Sequence, residues 1–528
     1  MKRHLFDPKV VCNEKEYYNA LYKSISVDGT IMCLGQLLQR SATLFTDNVA
    51  LIWHDRSITY KELYYRATLL SARLLERGIK PHDRVLLFFE NSVEFYIGYF
   101  ATVQVGAVIA PLNTFLHETE LAHIVNDAQP AIIITASAHV ELFEKVLHAD
   151  STAQLVTEAD MDLTSSVPEI IPAFTVAKLD AHQMAALLYT SGTTGLPKGV
   201  MLSSKNIMTN IIQGLSRSRM QEDERVLGVL PLFHSFAQNV CVWSSMFIGF
   251  TVILVPKIDR RNLLDGLKHR PTIFFGVPAL YGFFCLLKTA DFSDVKFFVS
   301  GGDVLPDKIR AGFELIYRRK LCNGYGLTEA TPFVSVDLED VTEPTSCIGK
   351  PFIGLQAVVI DESGQPAPQG AIGELILKGD SVMLGYYNAP DMTAATIKNG
   401  WLYTGDLAYL DPKGKIVITG RIKDLIIHKG FNIYPAEIEN VILSHPNVIR
   451  AGVIGKREEV EEVPVAFVQI RVEQPDIEQA LKKLCVSHLA AYKVPREFYV
   501  STADMPATAT GKVDKKVLRK RLDDAKKD

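Results

Sequence analysis

Between Tyr189 and Met201 the chain reads Tyr-Thr-Ser-Gly-Thr-Thr-Gly-Leu-Pro-Lys-Gly-Val-Met. Gly192, Gly195 and Gly199 let the backbone turn its N–H groups toward one point. Thr190, Ser191, Thr193 and Thr194 add hydroxyls, and Lys198 adds a positive charge. That inventory suits a polyphosphate. The Walker spacing does not apply, because Pro197 precedes Lys198 and Gly199 stands where that loop needs a hydroxyl residue. The apolar run Met184 to Leu188 before the stretch and the helical pattern from Ser203 after it predict a strand, a flexible loop and a closing helix.

Further stretches carry chemistry. Asn323 leads into Gly324-Tyr325-Gly326-Leu327-Thr328-Glu329, which fails the dinucleotide fingerprint at Glu329 but offers glycines, an aromatic face, a hydroxyl and one carboxylate, a set suited to a nucleotide with its metal. Gly301 and Gly302 follow the apolar run Val295 to Val299, a strand end that a flat ring can approach; Asp303 comes next. Trp401-Leu-Tyr-Thr-Gly-Asp406 ends on a carboxylate able to accept both hydroxyls of a ribose. Gly420-Arg421-Ile422-Lys423-Asp424 and Ala507-Thr-Ala-Thr-Gly-Lys512 each present cations. The basic stretch Lys515 to Arg521 reads as a solvated helix face. Pro231-Leu-Phe-His234-Ser-Phe-Ala-Gln238 supplies aromatic walls and no anion for a substrate amine, which implies an amine-free acid with an apolar tail.

Spelled this way and in this order, from about residue 35 to 520, these stretches resemble the AMP-forming acyl/adenylate synthetases, closest to the fatty acyl-CoA synthetases. The resemblance implies an ATP-dependent ligase that converts a medium- to long-chain fatty acid to acyl-AMP, releasing pyrophosphate, and then to a coenzyme A thioester. It implies that Ser191 to Gly195 and Lys198 hold the phosphates, that Glu329 with Thr190 holds Mg²⁺, and that Tyr325 packs near adenine with Asn323, Gly324 and Gly326. Thr328 approaches the α-phosphate, Gly301 and Gly302 line the adenine and acyl sites, and Asp406 with Arg421 takes the ribose. Lys423 is the hinge, and His234, as a neutral imidazole, gates the acyl tunnel or guides the carboxylate. Lys512 is the catalytic lysine that bridges carboxylate and α-phosphate. Gly430, after Ile427-His-Lys, lies near the pantetheine channel. The rivals are an aryl acid as substrate, an acyl carrier protein as acceptor, and a non-catalytic relative that binds acyl groups or nucleotides.

The elements that must position these residues follow from pattern. At 528 residues the chain holds three or four units at roughly 150 residues each. Its 48% hydrophobic and 22% charged content is that of a globular protein, and a net charge of −4 gives no reason to expect nucleic acid. Seven cysteines without C-x-x-C spacing suggest neither zinc nor a disulfide framework, so a reducing cytoplasm is expected. The N-terminus lacks the apolar run of a secretory signal. The uncharged stretch Val240 to Val255 falls short of the ~20 residues of a membrane span and reads as a buried helix, a glycine break and a buried strand.

Residues 50–60 predict a hairpin, and Thr59 then caps a helix with Leu63, Ala67, Leu70 and Leu74 on one face. Apolar runs at Val85 to Phe89, Val108 to Leu112 and Ala131 to Thr135 alternate with helical stretches and predict a parallel sheet; residues 151–183 read as an irregular link. A second alternating block runs from Val226 to Arg319, short strands with turn pairs follow Ile348, and helix–strand patterns follow Arg421. The expected fold is α/β, with layered sheets and a small β subdomain in residues 1–422 and a small mobile α+β lid in residues 423–528.

Overall fold

The computed structural model describes residues 13–27, 30–148, 151–191, 196–288, 290–338, 345–428, 431–458, 461–508 and 512–524. Two large sheets form the N-terminal body. In the first, Arg84–Phe88 lies parallel between Val108–Pro111 and Ile132–Thr135, and Val108–Pro111 runs parallel to Met184–Ser191. In the second, Val49–Trp53, Thr251–Leu254, Arg225–Gly228, Ile273–Gly276, Phe297–Ser300 and Leu321–Gly326 run parallel, with an antiparallel partner at each edge. Strands covered on both faces are nearly all apolar: Val85, Leu86, Leu87, Phe88, Ile132, Ile133 and Ile134 are buried.

The local rules read from sequence operate. Thr59 accepts the Glu62 N–H and starts the helix Tyr60–Glu76, which buries Leu63, Ala67, Leu70 and Leu74. The uncharged stretch is helical to Ile248, breaks at Gly249 and continues as the strand Thr251–Leu254. Within it, Gln238–Ser244 is a π-helical turn, a local widening that pattern alone does not signal. No helix among the described residues is long and apolar enough to cross a membrane. The link 151–183 is largely irregular, but Gln154–Val156 joins the first sheet beside Ile132–Thr135, an edge strand too short for its pattern to register.

An antiparallel sheet of Cys347–Gly349, Ile416–Arg421, Trp401–Leu410, Gly373–Gly379 and Leu355–Ile360 forms the β subdomain. Beyond the 3₁₀ turn Ile422–Asp424, the strands Val448–Glu458, Glu461–Ile470 and Glu497–Ser501 pack against the helices Pro435–Leu443 and Ile477–His488 around a separate core. The helix Lys515–Asp524 is not merely a solvated face: Lys515 pairs with Glu439 at 2.7 Å and Arg519 with Asp424 at 2.8 Å, so opposite charges dock it.

Gly249 has φ of +91°, and a Cβ there would lie 2.4 Å from the Phe45 ring, whereas Gly78 has φ of +84° with nothing within 4 Å. Gly78→Ala is therefore expected to carry only the left-handed strain of about 1 kcal/mol. Gly249→Ala adds a ring displacement, for about 3 kcal/mol in all. Comparison of urea midpoints for the two variants checks this.

Candidate active site

The expected strand–loop–helix around the phosphate stretch is corrected in one respect. Pro197–Ser203 is a strand that pairs back antiparallel on Met184–Ser191, with Lys198 opposite Thr190. The helix begins only at Ser204, capped by the Ser203 side chain. The tertiary pairing outcompetes a direct entry into helix because Val200 and Leu202 bury fully in this register. Gly192, Thr193, Thr194 and Gly195, like the Ser191 side chain, lie outside the described residues.

Strand geometry places Lys198 where three elements meet. Its Nζ donates to Tyr386 Oη at 2.6 Å and lies 3.1 Å from Glu329 Oε1; Tyr386 Oη in turn donates to Glu329 Oε1 at 2.8 Å. The ammonium also stands 4.0 Å from the centre of the Tyr386 ring. Glu329 is in the 3₁₀ turn Thr328–Ala330, and Thr328 Oγ1 shares a hydrogen bond of 3.0 Å with Ser235 Oγ. Thr190 Oγ1 is buried with no hydrogen-bond partner among the described residues.

A second cluster is centred on Asp406, which is 3% exposed. In the β subdomain Asp406 and Arg421 are cross-strand partners, and Arg421 Nε lies 2.9 Å from Asp406 Oδ1. The other carboxylate oxygen, Oδ2, accepts Tyr325 Oη at 2.5 Å. Asp406 thus raises the pKa of Arg421, while burial first and Asp406 second raise that of Tyr325, so both stay protonated. Asn323, on the same strand as Gly324, Tyr325 and Gly326, donates to the Thr345 carbonyl and keeps a buried Oδ1 without a partner. Gly301 abuts the Phe236 ring, which a Cβ would meet at 3.1 Å; Gly302 follows it.

His234 caps the short helix Ser235–Ala237, its Nδ1 accepting the Phe236 N–H at 3.2 Å. Burial, then the charge of Lys512, pushes its pKa down to about 4, so the imidazole is neutral. Lys512 reaches this site from the C-terminal domain. Burial lowers its pKa, and Asp303, Arg421 and Asp406 are the charges that act on it. Lys423 lies in the 3₁₀ turn between the two cores, its pKa lowered by burial and then by Arg421. Gly430 lies outside the described residues, and its neighbour His428 holds the Glu462 carbonyl through Nδ1 at 2.9 Å.

Apart from Ser191, every described site residue proposed from sequence lines one cleft of about 2380 Å³, between the ends of the two large sheets, the β subdomain and the C-terminal domain. The orphaned Thr190 and Asn323 oxygens suit a ligand with phosphate and adenine groups. No group of three or more His, Cys, Asp or Glu among the described residues forms a metal cage. A lone carboxylate at Glu329 fits Mg²⁺ only when substrate phosphates supply most of the oxygens, which is how that ion is commonly bound. Tyr386 was not foreseen. It is one of 19 tyrosines, and the pairing of Gly385–Tyr386 with Pro197–Ser203, which brings it to Lys198, joins segments far apart in the chain.

Residues 38–387 match the AMP-binding enzyme family, and residues 437–512 match the AMP-binding enzyme C-terminal domain. A long-chain-fatty-acid–CoA ligase of Bacillus subtilis (strain 168) is 32% identical, over 93% of this chain and 94% of that protein. A feruloyl-CoA synthase of an Amycolatopsis species is also 32% identical, over 93% and 99%. Among solved structures, ATP-bound MatB from Rhodopseudomonas palustris superposes with a TM-score of 0.85 at 30% identity, covering 93% of this chain and 99% of that one.

Because the folded His234 binds its proton only near pH 4 while the unfolded imidazole does so near 6.5, stability is unaffected above pH 6.5 and falls as pH drops from 6.5 to 4. The loss attributable to this group is on the order of 3 kcal/mol. His234→Gln is expected to remove that component, so the difference in unfolding free energy between wild type and variant should change across this window and stay flat from pH 7 to 8.

Proposed function

The chain belongs to the AMP-binding enzyme family and is an AMP-forming acid–CoA ligase, and from that premise we propose that its acid is a fatty acid of medium to long chain. The observation that carries the choice is the far wall of the cleft. Gly301 abuts Phe236, whose ring packs with Phe275 and Phe333, and Leu215, Met220, Val336, Leu338 and Phe352 line the same cleft. These residues are apolar, and none of them is an anion that would receive an amine.

The two half-reactions follow from the clusters. The carboxylate attacks the α-phosphorus of ATP, forming acyl-AMP and releasing pyrophosphate. The thiol of coenzyme A then attacks the acyl carbon and AMP leaves. In the first step Lys512, brought beside His234 and Asp406, holds the carboxylate and α-phosphate oxygens as negative charge builds. Neutral His234 guides the carboxylate without competing as a cation. Lys198 and the donors from Thr190 to Gly195 hold the departing phosphates, and Asp406 with Arg421 takes the ribose. Thr328 borders the α-phosphate, Asn323 and Tyr325 the adenine. Mg²⁺, held by Glu329 with Thr190 nearby, would neutralise charge on the phosphate oxygens.

The C-terminal unit, residues 423–528, must withdraw Lys512 for the thiol to enter, and we assign the pivot to Lys423. Polar contacts such as the Lys308 ammonium on the His445 carbonyl at 3.0 Å join the two units, whose hydrophobic cores are separate. Such contacts exchange readily. The free thiols at Cys33, Cys241, Cys285, Cys322, Cys347 and Cys485 suit a reducing, cytoplasmic location.

A second reading has support of its own. Ser218 Oγ and Ser335 Oγ line the same cleft, both buried without partners, and would suit a phenolic or otherwise hydroxylated aromatic acid. Pyrophosphate release and thioester formation, measured across saturated fatty acids of increasing length and with ferulate and benzoate, decide between the two. We expect a peak on one fatty chain length; a preference for ferulate would assign the serines instead. Pyrophosphate without thioester would move the acceptor to a carrier protein.

Lys512→Ala is expected to lower adenylation by about three orders of magnitude, in the range seen when a transition-state charge donor is removed. Thioester formation from supplied acyl-AMP should persist, as a paired half-reaction assay would show.

A further inference from the structure

The tyrosine between Lys198 and Glu329 has no part in the chemistry so far. Its position is unusually determined. Met383 N–H donates to the Glu329 carbonyl at 2.9 Å, Leu384 N–H to the Met201 carbonyl at 2.9 Å, and Tyr387 N–H to the Gly199 carbonyl at 2.8 Å. The segment 383–387 therefore stitches the backbone that carries Glu329 to the strand that carries Lys198. Tyr386 N–H is itself held by Thr393 Oγ1 at 2.8 Å. A side chain on backbone pinned at four contacts within five residues has little freedom to move with its neighbours.

We propose that Tyr386 is a positioning residue for the phosphate and metal groups of the nucleotide: its hydroxyl, donating to Glu329 Oε1 and accepting from Lys198 Nζ, fixes the metal-binding carboxylate and the phosphate-binding ammonium relative to each other. The inference rests on reading this cleft as an MgATP site. Lys198 and Glu329 attract each other directly at 3.1 Å, a contact that competes with their use on phosphate and metal. The phenol offers each a neutral partner that stays when that contact opens. Burial, and then Glu329, raise the phenol's pKa, so it remains a donor at every pH of interest. The ring adds a second hold on Lys198 through its face at 4.0 Å, and that hold survives removal of the hydroxyl.

Tyr386→Phe isolates the hydroxyl while preserving the ring and the backbone contacts. Binding is measured by calorimetry, without acid substrate, for ATP with and without Mg²⁺ and for AMP, which lacks the β- and γ-phosphates. The expected result is MgATP affinity about tenfold to a hundredfold weaker, the loss typical of a hydrogen bond to a charged group, with AMP affinity unchanged. Half-saturation by Mg²⁺ at fixed ATP should move to higher concentration, and thioester formation from supplied acyl-AMP should be unaltered. Unchanged MgATP affinity overturns the assignment. So does an equal loss for AMP and MgATP, which would mark a general disturbance of the cleft. If the wild-type protein binds ATP no better with Mg²⁺ than without, the reading of the site itself falls, an outcome distinct from failure of the tyrosine's role.

Discussion

A buried carboxylate must be satisfied on both oxygens or it destabilises the fold that buries it. Asp406 meets that requirement with Arg421 from the neighbouring strand and with Tyr325 from the strand Leu321–Gly326 of the second large sheet. The two contacts tie the β subdomain to the nucleotide motif and place Arg421 one residue before the 3₁₀ turn that leads to the C-terminal core. Removing one partner of such a pair costs about 3–5 kcal/mol. The site and the junction between cores therefore share one electrostatic constraint, and the carboxylate at its centre also sets where the C-terminal unit departs.

Around that fixed point the cleft is assembled from ends of elements rather than from one of them. Parallel strands direct their C-terminal ends to a common edge, where loops and helix starts leave backbone groups free for a ligand. Phe297–Ser300 delivers Gly301 and Gly302, Leu321–Gly326 delivers the nucleotide motif, and Met184–Ser191 delivers Thr190. The helical stretch after His234, with its π-helical turn Gln238–Ser244, contributes Asn239, Val240 and Ser244 to the cleft lining. Rings at Phe236, Phe275 and Phe333 pack edge to face or tilted at 5.5–6.4 Å, a geometry that fills space without polar demands.

Charge placement in the cleft is uneven in a way that suits an acid substrate beside a polyphosphate. Cations reach it from three directions, through Lys198, Arg421 and Lys512, while Glu329 and Asp406 are already paired. His234 could have been a fourth cation; burial and the approach of Lys512 keep it neutral instead. The three cations and their carboxylate partners thus lie together where phosphates and a carboxylate would meet.

Much of this was legible in the sequence. Apolar runs alternating with amphipathic stretches specified parallel sheets, because a strand covered on both faces has to be apolar throughout. The Thr59 cap and the glycine break at 249 were readable because local backbone chemistry decides them. Glycine, hydroxyl and lysine composition singled out the stretch around Thr190 and Lys198, and the described residues of the separate motifs meet in one cleft. Pairing between distant segments was not legible. That Lys198 rides a strand opposite Thr190, that Lys515 and Arg519 dock their helix, and that Tyr386 stands between Lys198 and Glu329 all depend on which strand edges and charged faces meet. Residue types and spacing carry chemistry along the chain, whereas register, burial and the partners of a charge are properties of the packed whole, which tertiary structure alone decides.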